Sequence, residues 1–324
     1  MSQWTFHGGR LAEARAFYGG DVWLDLSTGI NPTPWPGASG LTIDWQRLPD
    51  EAALSALENQ AAAHFGVDPD FVCAVPGTEI GLRLLGTVGI APTAYVMPAY
   101  RTHSDLVKPR IALEHIALPW MSGSLILANP NNPDGRILHR HVLEEQLAVS
   151  EASGHWLVID EAFADAVPEA SFAGEIDDDR RLIIFRSFGK FFGLAGMRLG
   201  FVLGPRSVIA GYRAKLGSWP LSSAALTIGS AAYCDASWIA SMRSILPGQA
   251  AALDAVLVRH GFQPSGACSL FRLIEIADAA ALFDRLARRS ILTRPFDDNP
   301  RWLRIGLPGN AGDLVRLDRA LADA

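Results

Sequence analysis

Six short apolar runs punctuate residues 71–203, and five of them give way at once to polar residues. The runs are FVCAV (Phe71–Val75), AYVM (Ala94–Met97), SLILA (Ser124–Ala128), WLVID (Trp156–Asp160), LIIF (Leu182–Phe185) and LGFVL (Leu199–Leu203). Helix-length stretches such as Glu79–Gly89 and Leu138–Ser153 separate several of them. Buried strands alternating with helices predict an α/β layer architecture with a largely parallel sheet. Ala251–His260 and the segments SLFRLIEIA, AALFDRLARRS and WLRIGL read as a smaller α+β unit at the C-terminal end. The expected organisation is an extended Gly- and Pro-rich arm over 1–40, a large domain over 41–212 and a small domain over 213–324, changing near Gly211–Gly217.

The residues that follow the runs carry the chemistry. FVCAV leads into PGTE, AYVM into PAY, SLILA into NPNNPDG, WLVID ends on Asp160 before EAF, and LIIF leads into RSFGK. Ligands of open α/β sheets bind outside the carboxyl ends of the strands, so five strand ends offer polar groups to one crevice. One group is conspicuous. Of 28 basic residues only Lys108, Lys190 and Lys215 are lysines, and Lys190 lies among phenylalanines and glycines. Arginine stays protonated, whereas a lysine can lose its proton and attack a carbonyl. A phosphorylated pyridine aldehyde needs such an amine, together with a carboxylate at its ring nitrogen. Its phosphate needs backbone N–H groups at a helix start and a fixed cation. Lys190, Asp160, the PGTE turn and Arg198 meet those needs; Asn132 suits the phenolic oxygen and Tyr100 suits the ring face. Singly, each has a duller reading: Asp160 as a helix cap, NPNNPDG as a turn-rich loop, Tyr100 as a core edge.

Taken in order, PGTE, PAY, NPNNPDG, DEAF and SFGKFFGLAGMRLGF resemble the pyridoxal-phosphate enzymes of the aspartate-aminotransferase fold (fold type I), close to the histidinol-phosphate aminotransferase branch. The resemblance implies a large domain with a mostly parallel mixed sheet and a smaller C-terminal domain. It makes Lys190 the Schiff-base lysine, Asp160 the pyridinium partner, Asn132 the donor to the phenolic oxygen and Tyr100 the stacking ring. It assigns the cofactor phosphate to Thr78, to Glu79 through its backbone, to Ser187 and to Arg198. A homodimer is implied as well.

HGGRLAEA, DLSTGINP (Asp25–Pro32), RLPD (Arg47–Asp50), FRSFGKFFGLAG and ILTRPFDDNPRWLRIGL are similar to the threonine-phosphate decarboxylase family within that group. That resemblance implies decarboxylation of L-threonine O-3-phosphate to 1-amino-2-propanol O-2-phosphate for the nucleotide loop of a corrinoid. It makes the arm part of the active site and assigns substrate binding to His7, Asn31, Arg294 and Arg304, residues otherwise read as an arm histidine, a turn asparagine and two surface arginines. The sequence departs from the wider branch twice. Phe163 stands where many relatives carry a tyrosine that also bonds the phenolic oxygen, and Leu48 replaces a tyrosine that reaches the neighbouring subunit's cofactor phosphate. An aminotransferase of the histidinol-phosphate type is the alternative activity, and a silent binding module is a third reading, disfavoured because Lys190, Asp160 and Arg198 are all kept.

Bulk properties exclude other classes. A formal charge of −6 with no basic stripe argues against nucleic acid. No run of about 20 apolar residues is present to span a membrane, and MSQWTFHGGRLAEARAFYGG lacks the pattern of a signal peptide. Cys73, Cys234 and Cys268 lie far apart without a CxxC pair, so reduced, mostly buried thiols in the cytoplasm are expected, with no metal site.

Overall fold

The computed structural model of the chain describes residues 4–108, 110–112 and 123–322. They form two compact units: 34–132 with 137–241, and the N-terminal residues up to 33 with 133–136 and the C-terminal residues from 242.

Strand β1 (Leu24–Asp25) belongs to the second of these. The first is built on β2 (Val72–Val75), β3 (Pro92–Met97), β4 (Arg110–Ala112), β5 (Ser124–Ala128), β6 (Leu157–Asp160), β7 (Leu182–Ser187) and β8 (Gly200–Leu203), in spatial order β2-β8-β7-β6-β5-β3-β4. Every residue of β2, β5, β6, β7 and β8 is buried, as unbroken apolar runs covered on both faces require. Neighbouring pairs are parallel except at β8, which runs antiparallel to both β2 and β7. The cause is the short connection from Ser187 to Gly200, a turn of helix (Phe188–Phe191) and a 3₁₀ turn (Ala195–Met197), which reverses the chain instead of carrying it back across the sheet. Pairing places Ser187 opposite Gly200 and Gly200 opposite Val75, while Ala128, Asp160 and Phe185 lie side by side. The polar strand ends are therefore adjacent.

The other unit holds a four-stranded antiparallel sheet in the order β12-β13-β10-β9, from β9 (Pro264–Ser265), β10 (Phe271–Glu275), β12 (Arg294–Pro295) and β13 (Trp302–Gly306). Its β11 (Ile291–Leu292) pairs in parallel with β1. The helix Ala279–Arg288 starts where the Asp278 carboxylate accepts the Ala281 N–H at 2.9 Å. It buries Leu282, Phe283 and Leu286, spaced for one face.

Two expectations differ from what is seen. The first 40 residues are more than an extended arm: LAEARAFY forms the helix Leu11–Tyr18, and Leu24–Asp25 adds a strand. The division between units falls at 241/242, inside the helix Ala236–Arg259, and not near Gly211–Gly217. Gly217 does end the helix Arg206–Leu216, but the next helix, Ser223–Cys234, packs against Glu51–Phe65 and stays with the large sheet.

Candidate active site

Gly77 follows β2 with φ +85°, in backbone space that costs a glycine little. A Cβ there would lie 2.8 Å from Nη2 of Arg198, so the guanidinium rests directly over the turn. Arg198 itself is held at φ +51°, rare for a residue with a side chain, and its Nη1 donates to the Ala195 carbonyl at 3.2 Å. Beyond it, Gly200 brings β8 so near the turn that a Cβ would lie 2.8 Å from the Thr78 nitrogen. The start of the helix Thr78–Leu84, the Arg198 guanidinium and the Ser187 hydroxyl thus meet at the ends of three adjacent strands. Backbone N–H groups, a forked cation and a hydroxyl form a donor set for a phosphate dianion.

The same pocket is lined by Tyr100, Asn132, Asp160, Phe163 and Lys190, all within the first unit. Asp160 ends β6 and is 5% exposed; its Oδ1 accepts the Ala162 N–H at 3.1 Å. Its Oδ2 lies 3.3 Å from Nε2 of the fully buried His103. Lys190 lies within the helical turn Phe188–Phe191 that follows β7, with Nζ 5.8 Å from the centre of the Phe163 ring. The Tyr100 hydroxyl donates to Glu79 Oε2 at 3.2 Å. Burial, then the Glu79 carboxylate, pushes that phenol up to about 12, so it stays protonated. A lysine, a buried carboxylate, an amide side chain and the phosphate-type cradle are what pyridoxal phosphate requires, and the residues present fit it.

Beneath the pocket lies a buried ionic cluster that sequence reasoning missed. Arg186 Nη1 donates to Glu161 Oε2 at 3.0 Å and to Ser171 Oγ at 2.9 Å, and Nη2 to Asp165. Glu161 Oε1 accepts the Phe172 N–H at 2.6 Å, and His64 Nε2 lies 3.1 Å from Asp165 Oδ1. Burial raises the Glu161 carboxyl against the pull of Arg186. Burial also works against Asp165, but the Arg186 charge and the His64 hydrogen bond prevail and hold it well below the usual range. Since Glu161 adjoins Asp160 and Arg186 adjoins Ser187, the cluster fixes the ends of β6 and β7 to one another. His103 was missed too, although its place three residues after Tyr100, on the helix Arg101–Leu106, was a readable signal.

His7, Asn31, Arg294 and Arg304 all lie in the second unit. Arg294 and Arg304 face each other across β12 and β13, and each is 6% exposed, so they are not surface arginines. Arg294 donates to the carbonyls of Trp4 and Phe6 at 3.1 and 3.0 Å, and Arg304 to that of Ser27 at 3.0 Å. Their guanidinium carbons lie 5.1 and 5.0 Å from the ring centres of Phe296 and Phe271. Asn31 is buried and accepts the Thr33 N–H at 2.9 Å, while the His7 ring meets Phe6 edge-on. Cys73 and Cys268 are buried free thiols and Cys234 is an exposed one. Among the described residues no group of three or more His, Cys, Asp or Glu could hold a metal, and no helix is long and apolar enough to cross a membrane.

Residues 111–321 match the family model "Aminotransferase class I and II". The chain is 41% identical to a threonine-phosphate decarboxylase of a Sinorhizobium species, over all of this chain and 98% of that protein. It is 37% identical to a threonine-phosphate decarboxylase of Pseudomonas aeruginosa, over 97% and 96% of the two chains. The structure of a histidinol-phosphate aminotransferase from Sinorhizobium meliloti, in complex with pyridoxal-5′-phosphate, superposes with a TM-score of 0.79 at 19% identity, over 96% of this chain and 93% of that one.

Proposed function

This chain belongs to the class I and II aminotransferase family, and we propose that it decarboxylates L-threonine O-3-phosphate to (R)-1-amino-2-propanol O-2-phosphate, with pyridoxal 5′-phosphate as cofactor, for cobalamin biosynthesis. The observation that carries the reading is identity of 41% along the whole chain with a threonine-phosphate decarboxylase, joined to a pocket whose donor set suits the cofactor.

Each pocket residue has a distinct task. The Lys190 amine would hold the cofactor covalently through its aldehyde carbon, the aldehyde oxygen leaving as water. Once released, its Nζ would carry the proton that takes the place of CO2 at the substrate α-carbon. Asp160, steadied by His103 and the Ala162 N–H, keeps the ring nitrogen protonated. Thr78 and Glu79 through their backbones, Ser187 and Arg198 hold the phosphate; Tyr100 stacks on the ring and Asn132 donates to the phenolic oxygen. Bound pyridoxal phosphate supplies an electron sink for the pair left when a bond to the α-carbon breaks. The bond that breaks is the one held perpendicular to the ring. An aminotransferase clamps the substrate carboxylate near the ring plane; a decarboxylase must turn it out of that plane. Arg294 and Arg304, with His7 and Asn31, grip the substrate phosphate and so leave the carboxylate free to turn, which is catalysis by positioning through a non-reacting group.

The protein works as a cytoplasmic homodimer. Exposed Trp45, Leu48, Ile80 and Trp219 in the first unit give a partner subunit apolar surface to cover, and three unpaired cysteines suit a reducing compartment.

Two variants probe the cofactor site. Because Phe163 has no hydroxyl to share the task, Asn132→Ala removes the principal side-chain donor to the phenolic oxygen. Loss of a hydrogen bond to a charged group costs about 1.5–3 kcal/mol, so the pH midpoint of the bound cofactor's visible band should rise by roughly one unit or more. The direction follows because the donor stabilises the negative oxygen and thereby weakens the proton affinity of the nitrogen beside it; an unchanged titration would remove Asn132 from that role. Gly77→Ala sets a Cβ against the Arg198 guanidinium at positive φ. Strain of about 1–3 kcal/mol should weaken pyridoxal-phosphate binding on the order of tenfold, as read by cofactor titration. The activity itself is tested by comparing kcat/KM for threonine phosphate with that for histidinol phosphate plus a keto-acid acceptor. A preference for the second pair would overturn the reading.

A further inference from the structure

A carboxylate at the second residue of a phosphate-binding helix start is electrostatically awkward, since it repels the dianion that its own backbone would hold. Glu79 occupies that place, and it lines the pocket. Its side chain is drawn aside by three donors. Arg83, one turn further along the helix, engages Oε1 through Nε at 2.6 Å. Two hydroxyls from the segment after β3 converge on the other oxygen: Thr102 Oγ1 at 2.6 Å and Tyr100 at 3.2 Å. An ordinary i,i+4 ion pair would account for Oε1 alone. What needs explaining is Oε2, which ties the phosphate turn to the tyrosine that follows the next strand of the motif series.

Tyr100 caps the helix Arg101–Leu106, where its carbonyl accepts the His103 N–H at 2.9 Å. The His103 ring meets the Tyr100 ring edge-on at 5.9 Å and reaches Asp160 Oδ2 at 3.3 Å. Glu79 therefore anchors one end of a short run of residues whose other end touches the ring-nitrogen carboxylate. We propose that the Glu79 carboxylate is a positioning residue: it holds the Tyr100 ring in its stacking plane and keeps its own charge off the cofactor phosphate. The inference rests on the pyridoxal-phosphate reading of the pocket. Both ends of the link are in the right protonation state. The hydrogen bonds from Thr102 and Arg83 and the Arg83 charge outweigh burial and keep the Glu79 carboxyl below its usual value, while the phenol of Tyr100 keeps its proton. The Glu79 side chain is 28% exposed, so its removal leaves no buried cavity.

The test compares holoenzymes carrying Glu79→Ala, Glu79→Gln, Tyr100→Phe and the double change Glu79→Ala/Tyr100→Phe. Visible circular dichroism per bound cofactor reports how the ring sits, and pyridoxal-phosphate titration reports affinity; the far-ultraviolet spectrum checks the fold. Glu79→Ala should lower the visible signal at least twofold and raise the cofactor Kd several-fold. Glu79→Gln keeps an acceptor oxygen for the two hydroxyls and should restore most of the signal. Adding Glu79→Ala to Tyr100→Phe should change the signal much less than Glu79→Ala does alone, because the two act on one ring. A wild-type signal and Kd in Glu79→Ala, a Gln variant as poor as the Ala variant, or independent effects in the double variant would each overturn the inference. If the wild-type protein takes up no cofactor on Lys190, the pyridoxal-phosphate reading itself falls, and that outcome is distinct from the others.

Discussion

Lys190→Ala should lose essentially all turnover, by more than about 10³-fold, because the proposed mechanism gives this one amine the work of both nucleophile and proton donor. Cofactor should still bind weakly, since the Gly77–Thr78 turn, Ser187 and Arg198, the proposed phosphate cradle, still line the pocket. Borohydride treatment of the wild-type protein should fix pyridoxal phosphate to a peptide containing Lys190. In the alanine variant the same treatment should leave no label. Lys190 is the lysine that lines the pocket, so label on Lys108 or Lys215 would contradict the site directly. Retained turnover in the variant would do the same.

The second large effect belongs to the arginine pair on β12 and β13. Charge-assisted, forked bonds to phosphate are strong and directional. On the proposed role of the pair, losing one guanidinium from the substrate phosphate should cost about 1.5–3 kcal/mol per bond removed. Arg294→Ala or Arg304→Ala should therefore lower kcat/KM for threonine phosphate by roughly 10²-fold or more, a factor of ten for each 1.4 kcal/mol. For unphosphorylated threonine the same variants should change kcat/KM far less. The ratio is the informative quantity, because an arginine clamping the carboxylate would harm both substrates alike. Equal losses would assign the pair to a carboxylate clamp of the aminotransferase kind. Both side chains also tie down Trp4, Phe6 and Ser27 through their carbonyls, so Arg→Lys variants separate phosphate recognition from support of the N-terminal residues.

How far these features could be read from sequence depended on whether the signal was local. The buried strands were legible because unbroken apolar runs mark strands covered on both faces, and Ala128, Asp160 and Ser187 stand at their ends. Most pocket residues were legible for the same reason, since Thr78, Tyr100, Asn132 and Lys190 follow their strands within a few positions and Asp160 and Ser187 end theirs. Arg198, by contrast, precedes β8 and was readable only from its motif. The reversal of β8 was not, because strand direction depends on where the chain goes after Lys190 and not on any periodicity. The helix Leu11–Tyr18 was hidden between glycines that read as an arm. The burial of Arg294 and Arg304 ran against the ordinary expectation for charge, and it depends on carbonyls nearly the whole chain away. The Arg186 cluster joins residues from Glu161 to Asp165 and Ser171, and its only local trace was an acid after Asp160 and a base before Ser187. His103 reaches Asp160 across 57 positions of chain. Polar networks of that reach leave no periodic mark.

The central claim is that the substrate carboxylate, and not the α-hydrogen, stands perpendicular to the cofactor ring. It is tested most directly by following the carboxyl carbon of threonine phosphate, labelled with carbon-13, through a reaction with the purified holoenzyme. The account predicts stoichiometric release of labelled CO2 together with 1-amino-2-propanol O-2-phosphate, and no keto acid. Label retained in a keto-acid product, with the cofactor left in its amine form, would contradict it and make the protein an aminotransferase.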